Sequence, residues 1–148
     1  GFENEQPVIY RLGGLRVELI EEIVGPAVFA TKNIALGAFI EKPAAPGNFL
    51  QHYSPKKPLK LGVMSELLER YRHKKVGILV FDKYYEEIDK EQQILLTPSS
   101  NLEEAAHNLF AALRKLDQLP VEIILSTYVP NIGLGRTIND RLVRASAR

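Results

Sequence analysis

Two nearly continuous apolar runs do most to limit how this chain can fold: VGILVF at 76–81 and VEIIL at 121–125. A strand with one face in water alternates polar and apolar residues, whereas a strand covered on both faces reads as unbroken hydrophobicity. Around these runs the spacing changes to steps of three and four. Leu102, Ala105, Ala106, Leu109, Phe110, Leu113 and Leu116 outline the strongest helix. Ser100 and Glu103 stand at capping-box positions before it, and Leu119–Pro120 ends it. Residues 65–73 form a shorter amphipathic helix with Leu67, Leu68 and Tyr71 inward, and a last helix carries Leu134, Ile138, Leu142 and Ala145. Residues 59–63 and 93–96 read as further strands, and 84–90 as one or two helical turns. Strands alternating with helices imply parallel pairing and helices on both faces. The expectation is an α/β fold: a three-layer, Rossmann-like sandwich with a mostly parallel sheet of four or five strands, spanning 59–148 and preceded by an irregular proline-rich linker.

That linker centres on 42–58, KPAAPGNFLQHYSPKKP, which holds Pro43, Pro46, Pro55 and Pro58, four of the nine prolines. Proline removes a backbone donor and biases its predecessor away from helix, so neither a helix interior nor a central strand fits here. Phe49, Leu50, His52 and Tyr53 in its middle distinguish it from a loose polar tether. It reads as a stiff connector, 26–58, lying across another surface, with a short extended piece at 27–31.

Before it, 7–11 reads as a strand, Gly13–Gly14 as a turn, and 15–24 as a helix with Leu15, Leu19, Ile20, Ile23 and Val24 on one stripe, stopped by Gly25–Pro26. A strand, turn and helix cannot bury that stripe alone. Residues 1–25 therefore read as the remnant of a preceding domain, with the stripe expected to pack on a neighbouring chain or on 59–148. The chain opens on Gly1 and enters a strand pattern at once, the expectation for a piece of a longer protein. A formal net charge of +1 gives no electrostatic case for DNA or membrane binding. The absence of cysteine excludes disulfides and fits a reducing, cytoplasmic compartment. No apolar run approaches the roughly 20 residues needed to span a bilayer.

Several segments, in order, resemble one family. APGNFLQHYSP (45–55) resembles the linker motif of two-domain threonylcarbamoyl-AMP synthases, matching at Pro46, Gly47, His52, Tyr53 and Pro55. GLGRTINDRLVRA (133–145) resembles the C-terminal signature of that family, NLEEAAHNLFAALRKLD (101–117) its central helix, and PVIYRLGGL (7–15) the last strand and turn of its YrdC-like catalytic domain. Three departures stand out. Asn48-Phe49-Leu50-Gln51 replaces Met-Lys-Tyr-Arg, Leu12 replaces the proline of an Arg-Pro-Gly turn, and Asp140 replaces asparagine. The resemblance implies an enzyme that makes threonylcarbamoyl-adenylate and pyrophosphate from threonine, bicarbonate and ATP, for the threonylcarbamoyladenosine of tRNA. It implies that this chain is the lid and accessory part, inactive alone, whose partner is the missing YrdC-like domain and, indirectly, the tRNA modification machinery. ATP and magnesium belong to the parent enzyme, with no cofactor expected for this portion alone. A homo-oligomer through 7–24 is a further expectation.

Site expectations follow. Arg11 is a candidate for an ATP phosphate in the parent, and His52 and Tyr53 for a cover over the ATP site that protects the mixed anhydride from water. Packing of the same two rings onto the C-terminal domain is the competing reading. No catalytic residue and no metal ligand set is expected here. Gly133–Leu134–Gly135 opens a helix where backbone amides can meet a phosphate, but tight strand-to-helix packing is the preferred reading. Asp82, Thr97, Ser99, Ser100, Ser126 and Thr127 fall at strand ends, where open sheets bind ligands and where caps are also made. His73 and His107 read as ordinary helix residues, and Arg136, Arg141, Arg144 and Arg148 as solvated charges, with tRNA contact the minor alternative. A free-standing nucleotide- or small-molecule-binding α/β module is the rival to the whole synthase reading.

Overall fold

The computed structural model describes residues 1–3, 5–29 and 54–147. His52, Tyr53, most of the connector and Arg148 lie outside the described residues.

The chain starts with a small sheet. Strands β1 (Phe2–Glu3) and β2 (Gln6–Ile9) pair antiparallel, and β3 (Val28–Phe29) adds parallel to β2 after helix α1 (Val17–Val24). These strands are two to four residues long. α1 starts later than the stripe suggested, because Arg16 is its extended N-cap.

The second unit contains β4 (Leu59–Leu61), α2 (Met64–Arg70), β5 (Val76–Val80), a 3-10 turn (Lys90–Gln92), β6 (Gln93–Leu95), α3 (Leu102–Gln118), β7 (Ile123–Ser126) and α4 (Leu134–Ser146). Its four strands are all parallel, in the order β4-β7-β5-β6. The crossovers run in opposite directions, β4 past β7 to β5 and β6 past β5 to β7, and their helices lie on opposite faces of the sheet. On one face α3 and α4 pack Leu109, Leu116, Ile138 and Leu142 on Leu59, Leu79 and Ile124. On the other, α2 packs Met64 and Leu67 on Val76, Ile78, Val80, Ile123 and Leu125. Alternate residues of β5 and β7 thus enter different cores, which is why both strands read as unbroken apolar runs. Gly77 marks a close approach: a Cβ there would stand 3.0 Å from Val121 and 3.1 Å from Leu116 side-chain atoms.

One cap departs from expectation. The N-cap of α3 is Asn101, whose Oδ1 accepts the Glu103 and Glu104 amides at 2.9 and 3.0 Å. Ser100 adopts a φ of +55° and donates its hydroxyl to Asp82 at 2.7 Å instead. Ser100 and Asn101 are both competent caps. The left-handed turn at Ser100 settles the helix start.

Within this chain the α1 stripe is partly covered, with Leu19 and Ile20 half-buried. Leu12 and Val17 are the buried residues, whereas Leu15 is 58% and Ile23 85% exposed. The N-terminal end of α1 meets the second unit through Glu18, and Ile23 in its last turn is left outward.

Candidate functional site

The last helix begins at a glycine that has no side chain to cap it. Gly133 has a φ of +49°, in the left-handed region where a Cβ is strained. An anion reaches this end from elsewhere in the chain. Glu18, in the first turn of α1, accepts the Gly133 N–H at Oε1 over 3.3 Å, and the same oxygen lies 3.5 Å from Arg136 Nη2. A carboxylate at the positive end of a helix is favourably placed. Its pKa is lowered from the ordinary 4.5 first by a hydrogen bond to its own backbone N–H, then by the Gly133 amide and by Arg136 and Arg16, against a burial effect that raises it. Its second oxygen, Oε2, is buried and accepts no hydrogen bond from the described residues.

A second bond closes the same seam: the buried Thr137 donates its hydroxyl to the Gly13 carbonyl at 2.8 Å. Arg16 lies against the turn, its Cδ 3.2 Å from where a Gly133 Cβ would stand. Beside the seam opens a cleft of about 500 Å3 lined by Leu12 and Phe29 on one side and by Tyr128, Asn131, Arg136 and Asp140 on the other. Its floor is rigid. Asn139 is buried and brackets the Val129 peptide, accepting its N–H and donating to its carbonyl, both at 2.9 Å. Asp140 accepts from Arg144 Nε at 2.9 Å.

The two glycines of the Gly-Leu-Gly turn have separate duties. Gly133 supplies the left-handed cap. A Cβ on Gly135 would fall 1.8 Å from the Pro130 carbonyl oxygen, so only glycine lets α4 approach the β7–α4 loop. Close packing, the preferred reading, accounts for Gly135. Gly133 offers its amide to an anion after all, but that anion is Glu18.

The connector's far end is also held. Lys56 and Lys57 donate their backbone N–H groups to the Asp117 carboxylate at 2.9 and 3.1 Å, and Pro55 is buried beside Phe110 and Leu113. Lys57 Nζ donates to the carbonyls of Asp117 and Leu119, the latter at 2.6 Å. An acid in the last turn of a helix opposes the dipole, and the lysine ammonium offsets it.

The strand-end hydroxyls form a capping network. Thr97 and Ser99 both donate to Glu104, the latter at 2.8 Å, and together they lower its pKa, with Thr97 the larger cause. Ser126, the last residue of β7, is buried and directs its hydroxyl at the Leu79 carbonyl of β5 and the Thr127 carbonyl. His73 and His107 are exposed. The arginines of α4 are not simply solvated: Arg136 meets Glu18, Arg144 meets Asp140, and Arg141 lies 4.9 Å over the Phe110 ring. Arg11 is exposed at the end of β2, beside a groove of about 370 Å3 walled by Tyr10, Ile20 and Val24. Among the described residues no cluster of three or more His, Asp or Glu is placed to hold a metal ion, and no helix is long and apolar enough to cross a membrane.

Sequence reasoning missed Glu18, Asn139 and the Lys57–Asp117 anchor. The lysine pair after Pro55 and the acid at the end of α3 are visible separately, but nothing in their spacing joins them.

Fold and site together define a class: a parallel α/β unit of four strands whose last helix carries, at its N-terminus, a strand–turn–helix from far upstream. Residues 15–147 match the family model described as "Threonylcarbamoyl-AMP synthase, C-terminal domain", and the chain belongs to that family. It is 32% identical to the threonylcarbamoyl-AMP synthase of Pyrococcus abyssi and 31% to that of Bacillus subtilis, over 95% and 97% of its own length. The chain spans 42% of the length of each of these relatives. Among solved structures it resembles P. abyssi Sua5 complexed with L-threonine, at a TM-score of 0.74 and 31% identity over 94% of this chain and 42% of that one. It also resembles a variant of that protein in which an adjacent histidine and tyrosine are both alanine, at a TM-score of 0.69 and 29% identity over 94% of this chain and 41% of that one.

Proposed function

We propose that this chain is the linker and accessory portion of an L-threonylcarbamoyladenylate synthase, which joins threonine, bicarbonate and ATP and releases pyrophosphate, in the cytoplasm, for tRNA threonylcarbamoyladenosine. Residues 1–25 are the end of the YrdC-like catalytic domain, 26–58 the linker and 59–148 the accessory domain. The observation that carries this reading is the continuous family match across α1, the connector and the α/β unit, together with coverage of less than half of each relative. The chain alone makes no adenylate, because the cavity for threonine, ATP and magnesium belongs to the rest of the parent.

Within the parent, Arg11 holds an ATP phosphate: an exposed forked cation at the end of a strand, beside a groove, suits a polyphosphate. His52 and Tyr53 close over the ATP site. The chain is fixed to α3 through Asp117 from Lys56 onward. This chain has one adjacent His–Tyr pair, at 52–53. The altered pair in the variant of the P. abyssi protein is of the same kind.

The test is pyrophosphate release by the intact parent and by His52→Ala/Tyr53→Ala. Turnover is expected to fall about tenfold or more, the range in which positioning and water exclusion act. Unchanged turnover and ATP affinity would remove the covering role. Micromolar ATP binding by the 148-residue chain itself would favour a free-standing nucleotide-binding module instead.

A further inference from the structure

The Gly-Leu-Gly turn is left without a role by the synthase reading, since neither ATP nor threonine is assigned to it. Its surroundings suggest what it grips. Gly133 presents an amide at the start of α4, and the group that meets it is the carboxylate of Glu18, 115 residues earlier. Thr137, one helical turn on, reaches the Gly13 carbonyl, 124 residues earlier. Arg136, between them, faces the same carboxylate. These contacts come from one end of one helix and fall on one short stretch, 13–18. Farther along α1, Leu19 and Ile20 are half-buried and Ile23 is exposed. The first and second units therefore meet through directed hydrogen bonds beside the buried Leu12 and Val17, and such bonds set orientation.

We propose that the 133–137 turn of α4 is a docking surface whose occupant is the 13–18 segment of the same chain, and that this latch sets the angle between accessory and catalytic domains in the synthase. Glu18 is its ligand, Thr137 fixes its register, and Gly133 is glycine because its backbone is left-handed, with Arg16 Cδ in close contact 3.2 Å from where a Cβ would stand. The positioning part of the claim rests on the synthase reading; the docking part does not.

Amide exchange of the 148-residue chain tests the docking. In Glu18→Ala/Thr137→Val, the α1 amides are expected to exchange at least tenfold faster, while β5 and β7 keep their protection. Unchanged α1 protection in the double variant overturns the docking, and so does wild-type α1 exchanging at the rate of an unfolded chain. Turnover of the intact synthase tests the positioning. The same double variant is expected to lose at least fivefold in kcat, with the KM for threonine and the melting temperature held. Faster α1 exchange with unaltered kcat overturns the positioning and leaves the docking standing. A wild-type parent that releases no pyrophosphate ends the synthase reading and the positioning with it, while exchange still decides the docking.

Discussion

The two units of this molecule hold together by different means. In the second unit every residue of β5 is buried, and the sheet separates two apolar cores. In the first, strands of two to four residues support a helix whose Ile23 is 85% exposed, and the unit is attached by a handful of polar bonds. The contrast teaches that a segment can be well placed without being well buried. Its position is set by where hydrogen bonds point. Its apolar burial rests on few side chains, Leu12 and Val17 beside the seam and Val8 in β2.

The largest effect that sharpens this contrast is expected at Gly135. A Cβ 1.8 Å from a carbonyl oxygen cannot be absorbed by rotamer changes, so α4 or the Pro130 loop must shift. Gly135→Ala should destabilise the chain by about 3 kcal/mol or more, read from the midpoint of chemical unfolding. A variant as stable as wild type would show that α4 is not packed as closely as described.

A smaller effect is expected at Glu18. Its folded pKa is depressed, so its contribution is fully present above the ordinary value of 4.5 and is lost as the pH falls through the lower folded value. The seam should hold at neutral pH and loosen only in acid below 4.5. The Gly133 amide resonance should titrate with a midpoint under that value and lose the transition in Glu18→Gln. A midpoint at or above 4.5 would contradict the bond to Gly133.

The smallest change belongs to the outward stripe. Ile23→Ala should move the stability of the 148-residue chain by no more than about 0.5 kcal/mol, because the side chain is already in water. A cost several times larger, measured by thermal unfolding, would mean that α1 packs on a partner through that face, and the contrast between the units would disappear.

The α/β unit could be read from the chain because burial on two faces leaves a local trace. The runs at 76–81 and 121–125 and the three-four spacing from Leu102 to Leu116 each record their own surroundings. The cap of α3 shows the limit of local reading. Ser100 and Asn101 are neighbours of equal capping ability, and the choice fell to the backbone turn at Ser100 and its bond to Asp82. The site was less legible still. Arg11 could be named from its motif, but Glu18 is one acid among many on a surface helix until α4 is brought to it. Asn139 similarly carries no mark of its hold on Val129, since a buried amide and a solvated one are written with the same letter.

By itself, the amino-acid order determined the alternation of strands and helices, their parallel pairing and the helices on both faces, since each element's periodicity follows from what must be hidden from water. Tertiary structure alone decided which helix ends meet, that the Gly-Leu-Gly turn receives a carboxylate of its own chain, and that the lysines after Pro55 close on Asp117. The physical reason is that a hydrogen bond between residues 60 or more positions apart leaves no periodic trace in either partner. It exists only once the two surfaces have been brought within about 3 Å of each other.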